Sequence, residues 1–427
     1  MPHFSYEDGV LYAEHTPLTD IAEQFGTPTY VYSKAALTEN YSAYADACRK
    51  YGRGESGALI CYSVKSNSNL AVLNLLQQCG SGFDIVSGGE LLRVLAAGGS
   101  ASKVIFSGVG KTADEMRLAL SHNILCFNVE SIPELHRLNE IAGQMGKPAP
   151  VSLRINPNVD AKTHPYISTG LKENKFGIAY EEALATYRIA AVLPHIRVVG
   201  IDCHIGSQLL DDAPLLEALD KLIELIDALE QEGIAIHHLD IGGGIGIPYE
   251  GGDSVPVGDY LARLFAKIDE WRRLKHGASP IQVMFEPGRS ITGNAGVLLT
   301  EIQYLKHGAE KNFAIVDAAM NDLIRPAMYD AWHQVLPVIQ HKIPAETYDV
   351  VGPVCESSDW LARERALAIE QGDLLAIMST GAYGMTMASN YNTRGRAAEV
   401  MIDGVNVHLI RKRESPSELF ASESIPG

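Results

Sequence analysis

Eight short apolar runs rich in β-branched or aromatic residues recur between residues 58 and 287, and that repetition restricts the fold more than any other feature of this 427-residue chain. The runs are ALICYSV, GFDIV, KVIFSG, ILCFNV, VSLRIN, VVGIDCH, HHLDIG and QVMFEP, and each but the last precedes a segment whose apolar residues recur at helical spacing. Alternation of this kind is the signature of parallel βα units. Eight of them predict closure, an α/β fold built on a (β/α)8 TIM-type barrel. The clearest crossover helix follows the sixth run, where Leu215, Leu216, Leu219, Leu222, Ile223, Ile226 and Leu229 share one face behind Asp212 and Pro214.

After Glu286 the rhythm changes to VLLTEIQYL, NFAIVD, YDVVGPV, DLLAIMS and EVMIDGVNVHLI, with little helix between them. A mostly β second domain is expected there, joined by the N-terminal TYVYS run. The expected division is 35–285 for the barrel, with 1–34 and 286–427 forming the β domain that contributes to the site and to a dimer interface. The closing RKRESPSELFASESIPG shows no period and is expected to fray.

Composition narrows the partners. A formal net charge of −17 opposes nucleic-acid phosphate and anionic membrane alike. Cys48, Cys61, Cys79, Cys126, Cys203 and Cys355 form no C-x-x-C pair, so neither a zinc site nor a disulfide framework is indicated, and no metal is expected. A reducing cytosol suits them. The N-terminal MPHFSYEDGV lacks the basic flank and apolar run of a signal peptide, so a cytoplasmic protein with no membrane partner is expected.

In such a barrel the reacting groups stand at the carboxyl ends of strands. The first run ends in Lys65, the second in Asp84, the third in Ser107 and the sixth in His204. The seventh ends in Gly242, Gly243 and Gly244, and the eighth in Glu286, Pro287, Gly288 and Arg289. Singly, such a lysine is usually a solvated charge and such a histidine structural. GGGIG lacks the G-x-G-x-x-G spacing of a dinucleotide loop, yet glycine N–H groups without a Cβ can cradle a phosphate, and Arg289 can add a charge-assisted contact. Jointly the residues fit pyridoxal 5'-phosphate: a lysine for an imine, an anion cradle, a ring to stack and an acid facing the pyridine nitrogen.

The motifs YSVKSN, FDIVSGGE, HIGSQ, LDIGGGIGIPY, FEPGR and GPVCESSD resemble the alanine-racemase-like pyridoxal enzymes in their group IV decarboxylase branch, over most of the chain. The resemblance implies that Lys65 holds the cofactor covalently, His204 stacks on its ring and Glu286 pairs with its pyridine nitrogen. It implies that Ser207, glycines 242 to 244 and the Glu286–Arg289 segment hold the phosphate, and that Tyr383 approaches cofactor and substrate. Asp84 is grouped with the cofactor-binding residues. Cys355 and Glu356 are implied to reach the site from the other subunit of a homodimer. Lys65, His204 and Cys355 make up the expected catalytic set, with the Cys355 thiol as proton donor to Cα, although a small buried hydrophobe is the ordinary role of a cysteine.

Residues 154–178, RINPNVDAKTHPYISTGLKENKFGI, resemble the branch that acts on meso-2,6-diaminopimelate. This implies decarboxylation to L-lysine and carbon dioxide, the last step of lysine biosynthesis by the diaminopimelate route. Asn174 and Ser358 depart from the serine and glycine frequent in that branch, without expected effect on the chemistry. Glu356 suits the distal ammonium of the substrate, while Arg289, Arg325 and Tyr329 resemble a clamp for its distal carboxylate; a surface ion pair is the plainer role for Arg325. Rival readings are decarboxylation of ornithine, arginine or carboxynorspermidine, a racemase, and a catalytically silent cofactor-binding regulator. Glu356 in place of a shorter Asp argues against the first. CESSD argues against the second, and intact Lys65, Cys355 and Glu356 against the third.

Overall fold

The computed structural model describes residues 3–52, 57–160, 175–252, 254–275 and 281–427. Asn174 and most of the stretch that begins at Arg154 lie outside that set. All eight apolar runs form strands: β1 (Ala58–Ser63), β2 (Gly82–Ile85), β3 (Val104–Phe106), β4 (Cys126–Val129), β5 (Ala149–Asn156), β6 (Ile196–Asp202), β7 (His238–Asp240) and β8 (Gln282–Phe285). Each pairs in parallel with its neighbours in chain order, and β8 returns to β1 with Phe285 opposite Ile60, which closes the barrel. Strands β2 to β5 are buried at every residue, as a parallel sheet covered by helices outside and filled by its own side chains must be.

The Ala213–Gln231 helix buries Leu215, Leu219, Leu222, Ile226 and Leu229 as its spacing predicts, with Leu225 added and Leu216 and Ile223 half-buried at the margin of the stripe. Only the short helix Arg289–Thr292 follows β8, so the barrel's eighth helix comes from before β1, as Lys34–Tyr51. Its Tyr44 hydroxyl meets Ser290 Oγ at 2.8 Å. Just beyond it, a Cβ at Gly52 would stand 3.1 Å from Phe265 on the Val257–Leu274 helix.

The barrel unit comprises Asn40–Ile247 and Asp253–Ser290; the other unit comprises Met1–Glu39, Pro248–Gly252 and Ile291–Gly427. That second unit is mostly β. Its largest sheet runs Trp360–Leu367, Glu346–Val351, Asn312–Val316, Gly296–His307, Thr29–Ser33, Ala398–Asp403 and Asn406–Arg411. TYVYS is therefore a central strand, antiparallel to Gly296–His307 and parallel to Ala398–Asp403. The start of the tail, expected to fray, is tied down instead. Arg413 donates to the carbonyls of Phe25 and Pro28, and Glu414 accepts from Asn390 and Arg396. Single side chains reaching single carbonyls leave no period for a sequence to display. Among the described residues, no helix is long and apolar enough to cross a membrane.

Gly200 on β6 lies opposite His238 on β7, and a Cβ at 200 would stand 1.9 Å from the imidazole Nε2. Burial pushes the His238 pKa down to about 4. The folded value lies below the unfolded value of ~6.5, so the neutral ring's stability is complete above pH ~6.5 and is lost as pH falls toward 4, by about 3 kcal/mol in all. His238→Phe is expected to remove that share of the acid sensitivity, read as the shift of the urea midpoint between pH 7 and pH 4. Equal shifts in parent and variant would refute the assignment.

Candidate active site

Strand register sets the polar residues of the barrel side by side. Asp84 on β2 lies opposite Ser63 on β1, and Arg154, Asp202 and Asp240 are successive partners across β5, β6 and β7. Paired residues project to the same side of a sheet, so these side chains gather at the carboxyl ends of the strands.

Lys65 lies in the single turn Val64–Ser66 that ends β1. Its Nζ is 2.9 Å from Asp84 Oδ2, and its side chain is 34% exposed against 0% for Asp84. Asp84 Oδ2 also accepts from Ser63 Oγ at 2.8 Å, so Asp84 serves the lysine directly. The amine is thus held at the mouth, reachable from outside and oriented from within. Its charge acts on Glu286, His204 and Asp202.

Oxygens of Asp202, Asp240 and Glu286 lie within 4.8 Å of one another in a fully buried group. Burial raises the carboxyls of Asp240 and Glu286 well above their ordinary range, and neighbouring carboxylates raise them further. Asp202 is raised to about 7 by burial, with Arg154 opposing. Three carboxylates this close and this dry do not ionise together, so the cluster retains protons until a cation joins it. Glu286 Oε1 accepts from Asn128 Nδ2 at 3.3 Å and Ser107 Oγ at 3.4 Å, which fixes the carboxyl's direction. Both oxygens of Asp202 and Oδ1 of Asp84 are buried without a hydrogen-bond partner among the described residues.

His204 follows β6. Burial, then Arg154 and Lys65, depress its pKa well below 6.5, so the ring is neutral. Its Nδ1 receives the Gly243 N–H at 3.3 Å, which puts the ring proton on Nε2. Gly242 donates its N–H to Asp240 Oδ1 at 2.8 Å. Two of the three glycine donors therefore already have acceptors in the protein, and what these glycines supply besides is room. A Cβ at 242 would stand 2.3 Å from the Cys203 carbonyl, and one at 243 would stand 2.2 Å from that of Glu286. Across the loop, buried Arg289 donates from Nη2 to Ser207 Oγ at 3.0 Å. Pro287 accepts the Ser63 N–H through its carbonyl, and Gly288 packs close to the Ser63 and Ser66 side chains.

The second unit holds the other expected residues. Arg325 is buried, so the surface ion pair does not describe it. Its Nη1 donates to His333 Nε2 at 2.9 Å, and its guanidinium lies 4.6 Å from the centre of the Tyr249 ring. Because a guanidinium only donates, His333 Nδ1 carries the ring proton and gives it to the Met378 carbonyl at 2.8 Å. Tyr329 and Tyr383 are half-buried, and Tyr383 takes φ 57°, a conformation rare for an aromatic residue. Cys355 is an exposed free thiol, so the small buried hydrophobe does not describe it. Its N–H donates to Asn392 Oδ1, while exposed Glu356 accepts from the Tyr391 hydroxyl.

Asn128, Arg154, Asp202, Asp240 and His333 were not singled out by the sequence reading as site residues. The first four lie within runs already read as buried strands, and that placement of a polar residue was the available signal. His333 had none.

Comparison with known proteins extends the geometry. Residues 39–293 match the family described as pyridoxal-dependent decarboxylase, pyridoxal binding domain. A Vibrio cholerae diaminopimelate decarboxylase is 56% identical over 100% of this chain and 99% of its own length. The crystal structure of diaminopimelate decarboxylase from Helicobacter pylori complexed with L-lysine is 42% identical, with a TM-score of 0.89 over 95% of this chain and 99% of that one. The M. jannaschii diaminopimelate decarboxylase in co-complex with L-lysine reaches a TM-score of 0.94 at 39% identity, over 99% of this chain and 98% of that one.

Proposed function

The chain belongs to the pyridoxal-dependent decarboxylase family, and from that premise we propose that it converts meso-2,6-diaminopimelate to L-lysine and carbon dioxide, the last step of lysine biosynthesis. The observation that carries the reading is the amine of Lys65, ion-paired to Asp84 at the barrel mouth and acting on the buried carboxyl of Glu286.

The residues present fit the cofactor. A buried acid cluster short of cations suits a protonated pyridine nitrogen at Glu286, and the neutral His204 can lie against the ring without opposing its charge. Ser207, Arg289, Gly288 and the loop of glycines 242 to 244 line a place for the phosphate, with Arg289 as the fixed cation. Lys65 Nζ would hold the cofactor covalently through its aldehyde carbon, with Asp84 orienting the amine. Bound pyridoxal phosphate supplies an electron sink for the pair left when the α-carboxylate departs.

The remaining roles belong to the second unit. Cys355 delivers a proton from Sγ to the substrate's α-carbon, a transfer suited to a thiol near neutral pH. Glu356 takes the distal ammonium, Arg325 and Tyr329 take the distal carboxylate, and Tyr383 approaches cofactor and substrate. The protein acts as a homodimer in the cytoplasm, each subunit lending Cys355 and Glu356 to its partner; the exposure of both in the single chain supports this. The test is direct. Purified protein supplied with pyridoxal phosphate and meso-diaminopimelate is expected to yield lysine and carbon dioxide in equal amounts, and lysine formation at the uncatalysed rate would overturn the reading.

A further inference from the structure

Two consecutive residues of the second unit, Asn392 and Thr393, both take φ 55°, a left-handed conformation unfavourable for β-branched threonine. The turn is not loose. Ser389 donates its N–H to the Asn321 carbonyl at 2.9 Å, Asn390 Nδ2 reaches the Arg394 carbonyl at 3.0 Å, and Arg394 Nε reaches Asn321 Oδ1 at 2.9 Å. The loop that carries Cys355 and Glu356 is tied to the same segment, since Asp359 accepts the N–H groups of Met320 and Val354, both at 2.6 Å. Strain kept in place by surrounding bonds is a common mark of a functional turn. Here it presents two side chains to the neighbouring loop: Asn392 Oδ1 accepts the Cys355 N–H at 3.0 Å, and the Tyr391 hydroxyl donates to Glu356 Oε1 at 2.6 Å.

We propose that Tyr391 and Asn392 are positioning residues, Asn392 fixing the backbone from which the Cys355 thiol projects and Tyr391 fixing the rotamer of the Glu356 carboxylate. The inference rests on the assignment of Cys355 as proton donor and Glu356 as holder of the distal ammonium. Glu356 is an exposed, flexible side chain with two oxygens, and without Tyr391 it must be ordered anew at each binding event. With Oε1 committed to the phenol, Oε2 is left oriented for the ammonium. The phenol remains a donor because its hydrogen bond to Glu356 raises its pKa. Asn392 suits both demands of its place, since asparagine tolerates the left-handed region and carries an acceptor.

The two residues serve different steps, so their variants separate the kinetic constants. Tyr391→Phe is expected to raise KM for meso-diaminopimelate about tenfold with kcat within twofold, because an ammonium held before and during the reaction is uniform binding. Asn392→Gly keeps the left-handed backbone and deletes the acceptor; kcat is expected to fall about tenfold with KM within twofold, because proton delivery follows binding. Asn392→Asp, which restores an acceptor, is expected to recover most of kcat. Unchanged constants in both variants, or kcat and KM moving together in step with a falling Tm, would overturn the proposal. Cys355→Ala and Glu356→Gln are measured alongside. If they are impaired while Tyr391→Phe and Asn392→Gly are not, the positioning role alone fails; if they retain full activity, the underlying assignment fails and this inference with it.

Discussion

Lys65→Ala is expected to lose activity by about 10⁴-fold and to leave a colourless protein to which borohydride adds no cofactor mass. Two separate losses combine. The covalent attachment disappears, and so does the charge that opposes the upward shift of Glu286 and Asp202, leaving buried Asp84 without its ammonium. The electrostatic part alone would weaken cofactor binding; the nucleophilic part is recognised because added methylamine supplies an amine and should restore some turnover. Mixing inactive Lys65→Ala with inactive Cys355→Ala gives a second reading. If each subunit lends Cys355 to its partner, mixed dimers carry one intact site and regain activity that neither variant has alone. A yellow, active Lys65→Ala protein would end the account, whereas mixtures that stay inactive despite exchange of subunits would end only the shared-site proposal.

How much of this could be read in advance depended on where a residue sits in its element. Lys65, His204, Glu286 and Arg289 were visible because they interrupt the chain where a strand gives way to a loop. Asn128, Arg154, Asp202 and Asp240 lie one to three residues earlier, within ILCFNV, VSLRIN, VVGIDCH and HHLDIG. An isolated polar residue in such a run reads equally well as facing outward. Only the pairing of Asp202 with both Arg154 and Asp240, together with the bond from Asn128 to Glu286, shows that they form one group. The eight strands were legible because each is a local pattern, but the eighth helix was not, since it precedes the first strand and only closure of the barrel reveals the vacancy that it fills. The glycine loop was legible in composition and incomplete in purpose: its excluded Cβ positions and its N–H bond to His204 depend on backbone that arrives from other strands.

Electrostatics explains why these hidden residues matter. A lone buried Glu286 would be a neutral acid, a poor partner for a pyridine that must keep its proton. Asp202 and Asp240 push its carboxyl still further toward the neutral form, so the cluster gives up a proton only when a cation arrives beside it, while Arg154 and Lys65 oppose that shift. The same two cations help to keep His204 neutral. One set of charges would thus favour a protonated pyridine nitrogen at Glu286 while keeping the His204 imidazole uncharged.

Substrate choice is the second large effect. The chain is expected to prefer meso-diaminopimelate over L-lysine, L-ornithine and L-arginine by roughly 10⁴-fold in kcat/KM, because a site built to hold a polar group is left with unsatisfied buried charge when the group is missing. The residue proposed for that group is Arg325 of the second unit. Arg325 is buried, its Nη1 donating to His333 Nε2 and its guanidinium lying against the face of Tyr249. Held this way, the guanidinium offers planar donors to a carboxylate, a geometry that a lysine ammonium cannot reproduce. Arg325→Ala should therefore reduce the preference for meso-diaminopimelate over L-lysine by at least about a hundredfold, chiefly through lost activity on the former, and Arg325→Lys should recover little of it. Carbon dioxide release from each amino acid, offered singly to parent and variants, measures the ratio. A parent enzyme that consumed L-lysine within tenfold of meso-diaminopimelate would contradict a dedicated carboxylate clamp, and an Arg325→Ala variant with its preference intact would place that clamp elsewhere, because the loss of a guanidinium that held the distal carboxylate would have to narrow the discrimination between these two amino acids.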